Sequence, residues 1–250
     1  MSGHSKWAGI KHHKMAQDAK RGQKFTKIIR EISIAARQGG PLPENNPRLR
    51  KAIEQAHEAN MPQDNVKKAV LRGTGELPGV TYEDASYEGY GPGGVAVLVE
   101  ATTDNKNRTT NELRRLFSQY GGNLGESGCV AWMFIQRGYI TLDKTKYEEE
   151  KIMTLALDLG VEDFKSDDEE TYEITTVPEQ VDKIVNSLKE QKIDIVQSEV
   201  TMLPKTYIKL AGKEAEQMLG LMNALEDHDD VNNVYANFDI PEEIMEKVSA

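Results

Sequence analysis

Residues 137–202 read RGYITLDKTKYEEEKIMTLALDLGVEDFKSDDEETYEITTVPEQVDKIVNSLKEQKIDIVQSEVTM. A strand near Tyr139–Leu142 precedes a stretch in which Ile152, Leu155, Ala156 and Leu159 recur at helical spacing. Apolar residues three and four apart fall on one face of an α-helix. Two strands, near Val161–Lys165 and Tyr172–Thr176, flank the acidic turn Asp167-Asp168-Glu169-Glu170. Four consecutive carboxylates cannot all pair locally, so the turn is expected to sit in solvent. Pro178 opens a second helix with Val181, Ile184, Val185 and Leu188 inward, and a strand near Asp194–Val200 ends the block. The order β-α-β-β-α-β is the split βαβ or ferredoxin-like pattern.

The flanks of this block repeat its logic. Before it stand a strand at Val95–Glu100, a helix with Leu113, Leu116, Phe117 and Tyr120 inward, and an apolar run from Cys129 to Ile135. Thr109-Thr110-Asn111-Glu112 fits a capping box for that helix. After the block come a strand at Tyr207–Leu210, a helix with Ala215, Met218, Leu219, Met222 and Leu225, and a strand at Val234–Phe238. Joined, the flanks read as a second split βαβ domain. The expectation is therefore a discontinuous α/β domain, 82–136 plus 203–240, with 137–202 inserted as an acidic ferredoxin-like domain.

The first 75 residues differ in kind. Phe25, Ile28, Ile29, Ile32 and Ala36 predict a helix that Gly39-Gly40-Pro41 stops. Asn46-Pro47 reads as an N-cap followed by proline in the first helical position. Leu49, Ala52, Ile53 and Ala56 give that second helix an apolar stripe. A third helix opens at Pro62-Gln63-Asp64, points Val66, Ala69 and Val70 inward, and closes at Gly73. The fold class is thus α+β: an N-terminal three-helix domain, 1–75, then two ferredoxin-like domains, with a linker over 74–81.

Charge divides along the same line. Residues 1–75 hold 15 Lys and Arg against 6 Asp and Glu, whereas the remainder holds 16 against 35. A basic segment joined to an acidic body suits a polyanionic partner that the body repels. Lys20, Arg21, Lys24, Lys27 and Arg30 form a cation band on the first helix, with Arg37 near its end. An arm ahead of it adds Lys6, Trp7, Lys11, His12 and Lys14. Such a band binds nucleic acid with little regard to sequence, through phosphate contacts that release counterions. Trp7 either stacks on a base or packs the arm onto the bundle. Lys106, Arg108, Arg114 and Arg115 make a second basic spot, which either extends the surface or solvates its helix.

Other patterns point away from catalysis. Gly89-Tyr90-Gly91-Pro92-Gly93-Gly94 satisfies G-x-G-x-x-G, but a dinucleotide site needs a helix behind it and a strand follows instead. A tight turn is the expected use, with Tyr82, Tyr87 and Tyr90 packing beside it. His4, His12 and His13 lack nearby acidic or thiol ligands. His228-Asp229-Asp230 reads as an acidic turn, and Cys129 as an inert buried thiol. There is no P-loop or nucleophile elbow. No enzyme activity, cofactor, metal or small-molecule substrate is expected. The longest apolar run, Cys129 to Ile135, is far below the roughly 20 residues of a membrane span. The basic N-terminus has no apolar stretch of the secretory kind, and its Trp7 and Phe25 argue for structure rather than a transit peptide. A cytoplasmic location follows as an expectation, with no membrane partner.

Several exact strings carry a resemblance. They are Gly3-His4-Ser5-Lys6-Trp7, Lys20-Arg21-Gly22, Phe25-Thr26-Lys27, Arg30-Glu31-Ile32, Ala35-Ala36-Arg37 and Asn60-Met61-Pro62. Further on come Tyr87-Glu88-Gly89-Tyr90-Gly91-Pro92-Gly93-Gly94, Thr103-Asp104-Asn105-Lys106-Asn107-Arg108-Thr109 and Gly121-Gly122-Asn123-Leu124-Gly125. Together they resemble the YebC family of transcriptional regulatory proteins, whose relatives include mitochondrial translational activators. Cys129 departs from the serine more usual there. The resemblance implies a cytoplasmic three-domain protein that binds nucleic acid without catalysis. It leaves open whether the role is DNA-binding transcription regulation or an RNA- or ribosome-associated role in translation. A third reading, an adaptor whose acidic α/β body binds a basic protein, rests on charge alone.

Overall fold

The computed structural model describes residues 19–168, 170–241, 244 and 245, with side chains from Gly22 onward. The arm residues Lys6, Trp7, Lys11, His12 and Lys14, and the side chains of Lys20 and Arg21, lie outside this set. The described chain divides into two compact units. One spans Trp132–Tyr207. The other joins the residues up to Ala131 with those from Ile208 onward.

The larger unit begins with three helices, α1 (Ala19–Gly39), α2 (Pro47–Glu58) and α3 (Gln63–Gly73). Their shared core holds Ile28, Ile32, Ala36, Leu49, Ala52, Ala56, Val66 and Ala69. Asn46 caps α2 by accepting a hydrogen bond from the Leu49 N–H at 3.0 Å. Its side-chain amide also donates to the carbonyls of Ala35 and Gly40, which fastens the α1–α2 corner. At the end of α3, Gly73 comes so close to α1 that a Cβ there would stand 2.2 Å from the Ser33 carbonyl oxygen. Glycine at 73 thus serves close helix packing.

The same unit continues through β1 (Glu83–Tyr90), β2 (Ala96–Thr103), α4 (Lys106–Gln119) and β3 (Asn123–Leu124). Strands β1 and β2 pair antiparallel, Glu83 opposite Thr103 and Tyr90 opposite Ala96. The glycine-rich segment is the hairpin turn between them, with Gly93 and Gly94 at φ +66° and +77°. Positive φ suits glycine because it has no Cβ to clash. Both flanks of the turn are strands, so it lacks the strand-to-helix geometry that cradles a pyrophosphate.

In the smaller unit, β4 (Phe134–Asp143), α5 (Glu149–Asp158), β5 (Asp163–Lys165), β6 (Thr171–Thr176), α6 (Val181–Glu190) and β7 (Ile195–Pro204) follow in order. The sheet order is β5-β6-β4-β7, antiparallel throughout. Strands β4 and β5, joined through α5, are separated by β6, which is the split βαβ arrangement. Ile140, Leu142, Ile152, Ala156, Ile174, Ile184 and Leu188 fill its core.

The chain then returns to the larger unit with β8 (Ile208–Lys209), α7 (Gly212–Glu226), β9 (Val231–Ala236) and β10 (Phe238–Asp239). Its main sheet has the order β3-β1-β2-β9, and β8 pairs parallel with β10. Valines 95, 97 and 99 pack with Leu113 and Phe117 of α4 and with Met218, Leu219, Met222 and Leu225 of α7. The Met218/Met222 stripe is therefore core.

Several local expectations need correction. Strand β1 escapes the sequence reading, because Glu83-Asp84-Ala85-Ser86 is too polar to look like a strand. The run Cys129–Ile135 is not one strand. It crosses a loop and a 3-10 turn at Ala131–Met133 before β4 begins at Phe134. Cys129 itself is half-buried. Burial and the nearby Glu88 carboxylate push its thiol pKa up, which disfavours the reactive thiolate. Helix α4 starts one turn before the expected capping box. Asn105 is the N-cap, accepting from the Arg108 N–H at 3.1 Å, and asparagine is among the best residues for that place. In the acidic turn Asp168 is buried, not solvated. Its carboxylate accepts from the N–H groups of Glu170 and Thr171 and from the Thr171 hydroxyl, so it shapes the turn.

Candidate nucleic-acid interface

Helix α1 has two buried faces, and that decides where its cations point. One face carries the bundle core. The other, about half a turn away, carries Lys27, Arg30, Ile34, Arg37 and Gln38. Ile34 is 2% exposed and stands outside the bundle core cluster. Lys27 Nζ donates to the Glu226 carbonyl at 2.6 Å, at the C-terminus of α7. A cation is favoured there by the partial negative charge of the helix end. Arg30 donates to the Asp229 carbonyl at 2.5 Å and to Asp230 Oδ1 at 2.7 Å, with its guanidinium 5.5 Å from the centre of the Tyr82 ring. Arg37 reaches the Tyr82 carbonyl at 3.3 Å. Lys24 is exposed.

Asp230 is the centre of this contact. It is 2% exposed. Oδ1 takes Arg30, while Oδ2 takes Arg108 at 2.7 Å and the hydroxyls of Thr109 at 2.7 Å and Thr103 at 3.2 Å. Burial works against the charged form, but the bonds from Thr109 and Arg108 outweigh it and hold the carboxyl below its ordinary pKa. The hydrogen bond to Asp230 raises the Arg108 pKa in turn. The Thr103–Thr109 motif thus supplies three side chains to an acid more than a hundred residues away.

A second tie lies at Arg48. It grips Glu31 with Nε and Nη2 at 2.6 and 2.9 Å, and Asp84 on β1 with Nη1 and Nη2 at 2.7 and 3.0 Å. Glu31 and Asp84 raise its pKa against the opposing cost of burial. Gln38 adds a bond to Asp84 at 3.2 Å. Neither Arg48, Asp84 nor Asp230 was a candidate from sequence, because each partner lies on a different element.

The second basic spot is divided. Lys106 pairs with Glu83 at 2.8 Å, and Arg108 belongs to the Asp230 network. Arg114 and Arg115 are exposed on α4, Arg114 bonding Asn111 on its own helix at 3.2 Å. The tyrosines are also committed: Tyr87 and Tyr90 donate to the carbonyls of Lys106 and Cys129.

Glu112, His228 and Asp230 bring possible metal-ligating atoms within 4.8 Å of one another. The acceptor atoms of His228 and Asp230 are already engaged. His228 Nδ1 accepts from the Asp230 N–H at 3.1 Å, which assigns the ring proton to Nε2, 2.9 Å from Glu112. Asp230 is taken by two guanidiniums. The group is a hydrogen-bond network that fixes the α7–β9 turn, and its donor set does not suit a cation.

The profile described as TACO1/YebC protein N-terminal domain matches residues 5–76, and the TACO1/YebC second and third domain matches residues 82–238. The chain belongs to the TACO1/YebC family. A protein of Endomicrobium trichonymphae is 59% identical over 251 residues and one of Dictyoglomus turgidum is 55% identical over 250, each alignment covering 100% of both chains. Both are named "probable transcriptional regulatory protein". A solved structure of a conserved hypothetical protein from Aquifex aeolicus is 48% identical, with a TM-score of 0.77 over 91% of this chain and 93% of that one. This agreement supports the α+β architecture. Among the described residues, no helix of this TACO1/YebC chain is long and apolar enough to cross a membrane.

Proposed function

We propose that this chain is a non-enzymatic, nucleic-acid-binding regulator of gene expression, acting on DNA through its basic helical segment. The observation that carries the reading is the charge split: 15 cations against 6 acids in residues 1–75, beside 16 against 35 in the remainder. A polyanion is attracted to the first and repelled by the second, which orients it on the chain. The names of the full-length relatives favour a role in transcription. Asp230 and Glu88 are held by guanidinium groups, threonine hydroxyls or backbone N–H donors.

Phosphate contacts position a protein on nucleic acid without reading its sequence. They serve duplex DNA and structured RNA alike. Crosslinking in cells, followed by sequencing of the bound DNA and RNA, separates the two. Enrichment of discrete DNA regions is the expected result. Enrichment confined to ribosomal or messenger RNA would replace transcription with the translation role, and recovery of neither would overturn nucleic-acid binding.

A further inference from the structure

Three cations of the basic segment are engaged within the larger unit, and a fourth, Arg37, is exposed with a single bond at 3.3 Å. Lys27, Arg30 and Arg37 bond the α7–β9 turn and the Tyr82 carbonyl, and Arg48 bonds Glu31 and Asp84. A phosphate approaching α1 from that side would have to displace a packed contact centred on the buried Ile34. Lys27 and Arg30 of the α1 band are therefore poorly placed to meet a polyanion, whereas Lys24 is exposed. On the outward face of α2, Arg50 and Lys51 are exposed, and Lys51 has Glu54 three residues on, which offsets its charge locally.

Helix α3 differs from both. Val66 and Ala69 turn into the bundle core, and Val70 packs against it. Lys67, Lys68 and Arg72 are exposed and form no ion pair among the described residues. Lys68 and Arg72 are four residues apart and so are neighbours on one face. The helix has a single acid, Asp64, three and four residues before Lys67 and Lys68; it offsets one of the three charges, so the face keeps an excess of two cations. The close approach of Gly73 to Ser33 holds the helix against α1, so its cations project from a fixed support.

We infer that the outward face of α3, with Lys67, Lys68 and Arg72, is a phosphate-binding surface of this chain, and that its ligand is a nucleic-acid backbone. The inference rests on the proposed nucleic-acid role and adds the α3 face to that site in place of Lys27 and Arg30. Binding through three cations on one helix face reads no bases, so this contact is tolerant of sequence and sensitive to salt.

The test uses the full-length chain and fluorescence anisotropy with two labelled probes of equal length, a duplex DNA of arbitrary sequence and a single-stranded RNA, over a range of salt. The K67E/K68E/R72E variant should lose about tenfold or more in affinity at low salt. Its log K against log salt slope should flatten by roughly two to three. K67Q/K68Q/R72Q, a milder change, should follow in the same direction and serves if the reversed charges disturb folding by circular dichroism. K51E should change affinity less than about threefold. Loss on either probe supports the surface and tells which nucleic acid it serves. A wild-type chain that binds while both α3 variants keep its affinity and slope overturns the inference. A wild-type chain that binds neither probe overturns the nucleic-acid role itself.

Discussion

Arg30 and Asp230, two hundred positions apart in the chain, meet at 2.7 Å with their side chains 13% and 2% exposed. The contact joins helix α1 to the turn between α7 and β9. Arg108 and two threonines share the same carboxylate, so the loss of Asp230 would leave the mostly buried Arg30 guanidinium without its counter-charge, while Arg108 keeps Asp104.

Asp230→Ala should therefore destabilise the chain by about 3–5 kcal/mol, the usual cost of leaving a buried charge without its partner. Asp230→Asn should also destabilise it. Equilibrium urea unfolding checks both. The carboxyl pKa is depressed in the folded state, so its contribution is complete above the ordinary carboxylate range and is lost as pH falls through the lower, folded value. Wild-type stability should drop in that acid window, and Asp230→Asn should drop less.

Glu88 gives a second prediction. Its buried carboxylate accepts from the N–H groups of Gly128, Val130 and Ala131, each at 2.7 Å. Burial opposes its charge, but these donors prevail and depress its pKa. Glu88→Gln replaces one acceptor oxygen with a donor. It should cost about 1–3 kcal/mol and speed hydrogen exchange at those three amides more than in the β1–β2 ladder. Uniform exchange across both would show that Glu88 does not organise the loop.

Much of the fold was legible from periodicity. The stripes of α1–α3, the Asn46 cap and the β-α-β-β-α-β order of 137–202 follow from local patterns, because each buried face repeats at its own period. What escaped was non-local or polar. Strand β1 is masked by its acidic residues, whose side chains reach Arg48 and Lys106 rather than solvent alone. The Cys129–Ile135 run looks like a strand because apolar residues alone do not separate a strand from a loop pinned by Glu88. For the site, sequence found the basic segment but not which cations remain available. Lys27 and Arg30 look solvated on a helical wheel, and only the positions of Glu226 and Asp230 show them engaged. Ile34 on the same face was the one local hint.

The parsing of the acidic block into an inserted domain leads to a third prediction. The fragment 132–207 should fold alone, with helical and strand circular dichroism and a cooperative melt, since its core residues come from within it. Joining Ala131 to Ile208 through a short Gly/Ser linker should leave the remaining sheet, β3-β1-β2-β9, intact. If neither product folds, the block is not a separate domain.

The most direct test of the central claim is the salt dependence of binding by the full-length wild-type chain to nucleic acids of unrelated sequence. The account predicts measurable affinity at low salt, little preference among sequences, and a linear fall of log K with log salt whose slope reports several phosphate contacts. An affinity that is absent at low salt, or one that does not change with salt, would contradict it.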